Sequence, residues 1–77
     1  MKMLPKALQP QRDDIKREYE SRNWKNIEIG LPDYSGYSQP SIFVWATSPS
    51  GKRLCGIVIQ SDSAFKTIRE FLDANTT

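Results

Sequence analysis

Seventy-seven residues carry eleven cations against nine carboxylates, for a net charge of +2, with one cysteine and no histidine. That length holds one domain with a small core. The composition excludes an intrachain disulfide, any Ser-His or Cys-His nucleophile and the usual zinc donor sets.

Cores of about 70–80 residues often lean on a metal, disulfides or a second subunit. The first two are out, so a homodimer is expected. No apolar run approaches the roughly 20 residues of a membrane span. The start Met1-Lys2-Met3-Leu4-Pro5 lacks the apolar segment of a signal peptide. A soluble, cytoplasmic protein is expected. The charge is uneven: residues 1–26 hold seven cations against four carboxylates, and residues 27–77 hold four against five.

In chain order, residues 1–9 have no period and read as a flexible arm, and residues 10–77 read as a single α+β domain. Pro10 suits a first helical turn, and a helix is expected over 11–22. Asp13–Arg17 and Glu18–Arg22 are spaced as i,i+4 pairs. Ile15 and Tyr19 share a face, with Trp24 just beyond. Two readings of this helix stand: a solvated helix docked by those three residues, or a basic binding edge of Arg12, Lys16, Arg17, Arg22 and Lys25.

Residues 26–31 alternate as a strand with Ile27, Ile29 and Leu31 on its buried face. Pro32 ends it. Residues 32–40 are rich in turn formers and hold Tyr34 and Tyr37, which either cap a core edge or bind. The next strand, Ser41 to Thr47, is β-branched and aromatic. It sets Ile42, Val44 and Ala46 against Phe43, Trp45 and Thr47. Ser48-Pro49-Ser50-Gly51 predicts a type I turn closing into a bulged hairpin. The following strand, about Lys52 to Gln60, sets Leu54, Gly56 and Val58 against Cys55, Ile57 and Ile59. Cys55 reads as a small core or strand residue rather than a reactive thiol. Ser61, Asp62 and Ser63 are N-cap candidates. The last helix runs from Ala64 to about Ala74, with Ala64, Phe65, Ile68, Phe71 and Leu72 in one apolar stripe.

The expected fold is α+β: an N-terminal helix, a three-stranded antiparallel meander, and a C-terminal helix packed on one sheet face. The carboxylates are scattered, and no glycine-rich phosphate loop is present. A non-enzyme with no metal and no cofactor is expected. Exposed sheet aromatics with nearby cations suit single-stranded nucleic acid, where bases stack for about 1–3 kcal/mol each and cations follow the backbone. The candidate contact residues are Tyr34, Tyr37, Phe43, Trp45, Lys52 and Arg53. The rival expectation is a small protein-binding inhibitor or adaptor, of the kind phages use, that docks on a larger protein complex. Duplex readout by the sheet would need more basic residues on its face.

The order Ile27-Glu28-Ile29, Asp33-Tyr34-Ser35-Gly36, Ile42-Phe43-Val44-Trp45, Cys55-Gly56-Ile57-Val58-Ile59 and Ser61-Asp62-Ser63-Ala64-Phe65 through Leu72 resembles the positive-cofactor-four family of coactivators. It is closer still to that family's small bacterial and phage relatives. The resemblance covers residues 26–72 and implies a homodimer that binds single-stranded DNA. It implies stacking by Tyr34 and Trp45, and a two-fold interface on the last helix through Phe65, Ile68, Phe71 and Leu72. Two departures stand out. Phe43, Tyr37 and Gln39 occupy places where the family has cations, and a helix precedes the meander where the family has a strand.

Overall fold

The computed structural model describes residues 3–31 and 40–76. A short 3-10 turn, Lys6–Leu8, leads into helix α1, Gln9–Glu20. Strands β1 (Lys25–Gly30), β2 (Ser41–Thr47) and β3 (Arg53–Ile59) follow, and helix α2 (Ala64–Ala74) closes the order. The sheet is antiparallel throughout, in the order β1-β2-β3. This is the expected α+β arrangement.

Alternation assigns the two sheet faces as the sequence predicts. Ile42, Val44 and Ala46 are buried, and Leu54, Gly56 and Val58 share their face through the pairs Ala46–Leu54, Val44–Gly56 and Ile42–Val58. Both helices lie on this face. Ile15, Tyr19 and Trp24 from the α1 segment join Ala64, Ile68 and Leu72 of α2 in one core with the strand residues. The opposite face carries Phe43, Trp45, Cys55, Ile57 and Ile59, and neither α1 nor α2 lies on it.

The N-terminal segment departs from expectation. Residues 3–9, expected within a flexible arm, are held down by Leu4, which is 2% exposed in the core, and by the Gln9 side-chain amide donating to the Leu4 carbonyl at 2.9 Å. The helix therefore begins before Pro10, which sits in its first turn. It also ends earlier than Arg22, for a definite reason. Asn23 takes a left-handed backbone, φ 72°, its N–H donates to Glu20 O at 3.1 Å, and Trp24 N–H donates back to Tyr19 O at 3.0 Å. That pair of bonds is a Schellman ending. Its usual apolar contact is present as well: the Tyr19 and Trp24 rings meet edge-on at 6.0 Å and 87°.

The hairpin follows its sequence. Gly51 N–H donates to Ser48 O at 2.9 Å, Gly51 takes φ 92°, and Ser48 N–H donates to Lys52 O at 2.8 Å. This is a type I turn followed by a left-handed glycine. The Ser48 hydroxyl, buried beneath the turn, accepts the Lys52 N–H at 3.1 Å. The cap of α2 differs from expectation. Ser63 is the N-cap residue, yet no side-chain oxygen accepts a helix amide. Ser63 serves instead through its carbonyl, which takes the Thr67 N–H at 3.0 Å and the Thr67 hydroxyl at 3.1 Å.

An ionic and hydrogen-bonded clasp joins the two helices. The Glu18 carboxylate pairs with Arg69 and, at 2.7 Å, with Arg22. Arg22 also reaches Asp73 at 3.4 Å and lies over the Tyr19 ring at 4.9 Å. The Tyr19 hydroxyl donates to Asp73 Oδ1 at 2.7 Å, with the Arg69 carbonyl 3.2 Å away. Burial, the bond to Asp73, and the charges of Asp73 and Glu18 push the phenol up to about 12. The bond that Arg69 donates to Glu18 likewise raises the guanidinium above its ordinary value.

The apolar stripe of α2 is used within the chain. Ile68 and Leu72 are both 0% exposed, and Phe65 and Phe71 are packed against the same core. The far end of the Phe71 ring packs against Gly56, where an added Cβ would stand 3.3 Å from it. Ile68 and Leu72 have no surface left for a second copy, whereas Phe65 and Phe71 keep part of theirs exposed.

Candidate functional site

The hairpin end of the open sheet face gathers most of the unclaimed polar chemistry, and a bulge in β1 does the gathering. Lys25 pairs with Thr47, but the next pair is Glu28 with Trp45, so β1 spends one extra residue between them. Asn26, at φ 54°, absorbs it. Simple alternation would have turned Glu28 away from Lys25. The bulge instead leaves both on the open face and lets Ile27 and Ile29 point into the core.

Trp45 is 40% exposed at the centre of this region. Asn26, Glu28, Trp45, Ala46, Thr47 and Arg53 line a shallow hollow of about 240 Å³. The rows of the sheet explain the grouping: Lys25, Thr47 and Arg53 lie in one row across the three strands, and Glu28, Trp45 and Cys55 in the next. The Asn26 amide donates to the Thr47 hydroxyl at 3.5 Å, a long bond that leaves its carbonyl oxygen for other partners. The hollow thus offers an aromatic wall, a guanidinium, a carboxylate and an amide.

The cations sort clearly. On the expected basic edge of α1, Arg12 is paired with Asp13 at 2.9 Å, Arg17 lies 3.8 Å from Asp14, and Arg22 is held by Glu18 and Asp73. The spacing-predicted Asp13–Arg17 pair is replaced by these nearer partners, whereas Glu18–Arg22 forms as expected. Lys16 stays on α1. Lys25 belongs to the Trp45 site through its row. Among the described residues, Lys6, Lys16, Lys25, Lys52, Arg53 and Lys66 have no carboxylate partner. Three of these, Lys25, Lys52 and Arg53, stand at the hairpin end, opposed there among the described residues by Glu28.

Of the sequence-derived contact residues, the structure brings together Trp45 and Arg53, with Lys52 exposed at the adjoining turn and Phe43 half-buried two positions along β2. Tyr34 and Tyr37 lie outside the described residues. Lys25, Asn26, Glu28 and Thr47 were not placed here by sequence reasoning. The signal for them was the possibility of one extra residue between Trp24 and Ile27, which the clean Ile27–Ile29 alternation hides. Among the described residues no group of three His, Cys, Asp or Glu side chains could hold a metal ion, and no helix is long and apolar enough to cross a membrane. Compared with family models, with curated proteins and with solved structures, the chain matches none.

Proposed function

We propose that the chain is a non-enzymatic binder of single-stranded nucleic acid and that its contact surface is the hairpin end of the open sheet face. The observation that carries this is an exposed Trp45 that shares one hollow with Arg53, with Lys25 in Arg53's row of the sheet and Lys52 exposed at the adjoining turn. A base stacked on Trp45 contributes about 1–3 kcal/mol, and Arg53, beside it, is within a side chain's reach of the adjoining phosphate. Glu28 and the Asn26 carbonyl are acceptors, so they suit bases that present an exocyclic amine and disfavour thymine. The electrostatic share is small. Two to three neutralised phosphates give a salt slope of about −1.4 to −2.1, and Glu28 trims it further. The exposed free thiol of Cys55 suits a reducing compartment, which supports a cytoplasmic setting.

The test is titration with oligocytidylate and oligothymidylate at low salt, following tryptophan emission. Binding quenches Trp45 and leaves buried Trp24 unaffected, Trp45→Ala and Arg53→Ala each weaken it, and the cytosine strand binds tighter. No quenching and no mobility shift with either strand sinks the reading. A second reading has its own observation. Ile57 and Ile59 are 45% and 59% exposed on the same face, and neither side chain stacks bases or meets phosphates. Such surface fits docking on a protein, as an inhibitor or adaptor would.

A further inference from the structure

β3 is an edge strand, and its ladder shows which of its backbone groups are spent. Ser48 N–H bonds Lys52 O at the turn, and Gln60 N–H bonds Pro40 O at the far end, both at hydrogen-bonded positions. By the antiparallel pattern, Leu54, Gly56 and Val58 also turn their amides toward β2. The N–H and C=O groups of Arg53, Cys55, Ile57 and Ile59 therefore point outward. Among the described residues nothing pairs with them. Natural sheets guard such an edge with lysine, proline or a bulge. From Cys55 to Ile59 this strand has none of the three, and the side chains beside the bare edge are Cys55, Ile57 and Ile59.

The order of charges along the strand selects what covers it. Lys52 and Arg53 stand at one end and Asp62 just past the other, all exposed and without ion partners among the described residues. An incoming antiparallel strand fits best if it is acidic where this one is basic, basic where this one is acidic, and apolar between. β3 itself has that pattern. We infer that two chains join through β3, antiparallel about a two-fold at Ile57, into one six-stranded sheet. In this register Ile57 faces Ile57 of the second copy, Cys55 faces Ile59, Arg53 faces Ser61 and Lys52 meets Asp62. Sliding toward the turn sets Arg53 against Ile59 or Ile57 and forfeits the carboxylate, so charge and apolar matching choose the same alignment. The two-fold stands perpendicular to the sheet, which keeps both open faces on one side. The dimer thus presents two Trp45 hollows on a single surface, one at each end of the seam.

Oligomeric state is measured without nucleic acid, by sedimentation over a wide concentration range, so the result is independent of any oligonucleotide binding. The expected outcome is a concentration-dependent passage from one-chain to two-chain mass. Ile57→Lys, at an exposed position, abolishes it while leaving the far-UV circular dichroism unchanged. Register is read by oxidative cross-linking. Cys55→Ser with Ile57→Cys gives a covalent dimer, and so does Ile59→Cys with Cys55 retained, whereas Cys55→Ser with Ile59→Cys does not. One-chain mass at every concentration overturns the inference, as does a dimer that Ile57→Lys leaves intact. A reversed cross-linking pattern overturns the register.

Discussion

Replacing Tyr19 by phenylalanine isolates one bond in the clasp between the helices. The ring stays edge-on to Trp24 and under the Arg22 guanidinium, and only the hydroxyl is lost. That hydroxyl donates to the Asp73 carboxylate at 2.7 Å, and bonds to charged groups contribute about 1.5–3 kcal/mol. Asp73 is 56% exposed and keeps Arg22 at 3.4 Å, so water and the guanidinium satisfy it after the change. The lower end applies: about 1.5 kcal/mol, or a melting shift of about 6–12 °C for a chain of this size. The same bond sets a pH signature. Folding raises the phenol from 10.0 to about 12, so the folded state favours the protonated form. Its contribution is complete below pH 10.0 and is lost as pH rises through about 12. Two units correspond to about 2.7 kcal/mol at most, and solvent screening at the rim of the clasp reduces this to about 1–2 kcal/mol. Urea unfolding of both proteins, followed by Trp24 emission from about pH 8 to about pH 12, reads both effects. The native chain is more stable by about 1.5 kcal/mol at the low end, and its advantage shrinks to zero or below at the high end. Equal stability at the low end, or a difference that does not vary with pH, refutes the reasoning.

Three further outcomes follow from the packing. Gly56→Val drives a side chain into the Phe71 ring and costs about 1–3 kcal/mol, measured by urea unfolding, and adding Phe71→Leu recovers part of the loss. Asn23→Ala places a Cβ-bearing residue without a helpful side chain in a left-handed backbone and costs about 1 kcal/mol, whereas Asn23→Gly is neutral or stabilising. Glu18→Ala removes the carboxylate shared by Arg22 and Arg69 and costs about 1 kcal/mol at low ionic strength, a difference that shrinks in molar salt because the group is partly exposed.

The hairpin and α2 were legible because local chemistry and tertiary demand agree there. The β-branched run of β2, the proline-serine-glycine turn and the apolar stripe of α2 each specify the element that packing also needs. The ends of α1 were harder to read. Leu4 sits in a stretch whose apolar residues, Met1, Met3, Ala7 and Leu8, follow no clear period, and its burial depends on a core that only the folded chain supplies. Asn23 does carry a helix-stop signal, but the Glu18–Arg22 spacing argued for one more turn. The site divides in the same way. Trp45 and Arg53 follow from alternation alone. Lys25 and Glu28 reach them only through the bulge at Asn26, and a one-residue insertion leaves no trace in a pattern that stays apolar on both sides. On α2, Ile68 and Leu72 are spent in the chain's own core, which a stripe pattern alone does not distinguish from an interface, and Gly56 leaves room for Phe71 against the sheet.

The clasp also bears on how the chain is made. Tyr19 finds its acceptors 50 and 54 residues downstream, at Arg69 and Asp73. At ribosomal rates of about 5–20 residues per second, α1 waits about 3–10 s for them after it has been synthesised. A twelve-residue helix has little stability alone. During that interval the Tyr19 hydroxyl, Glu18 and Arg22 have no partners from α2. The first helix therefore stays without half of its clasp until α2 is delivered, and its final stability is set by the last element of the fold rather than by its own sequence.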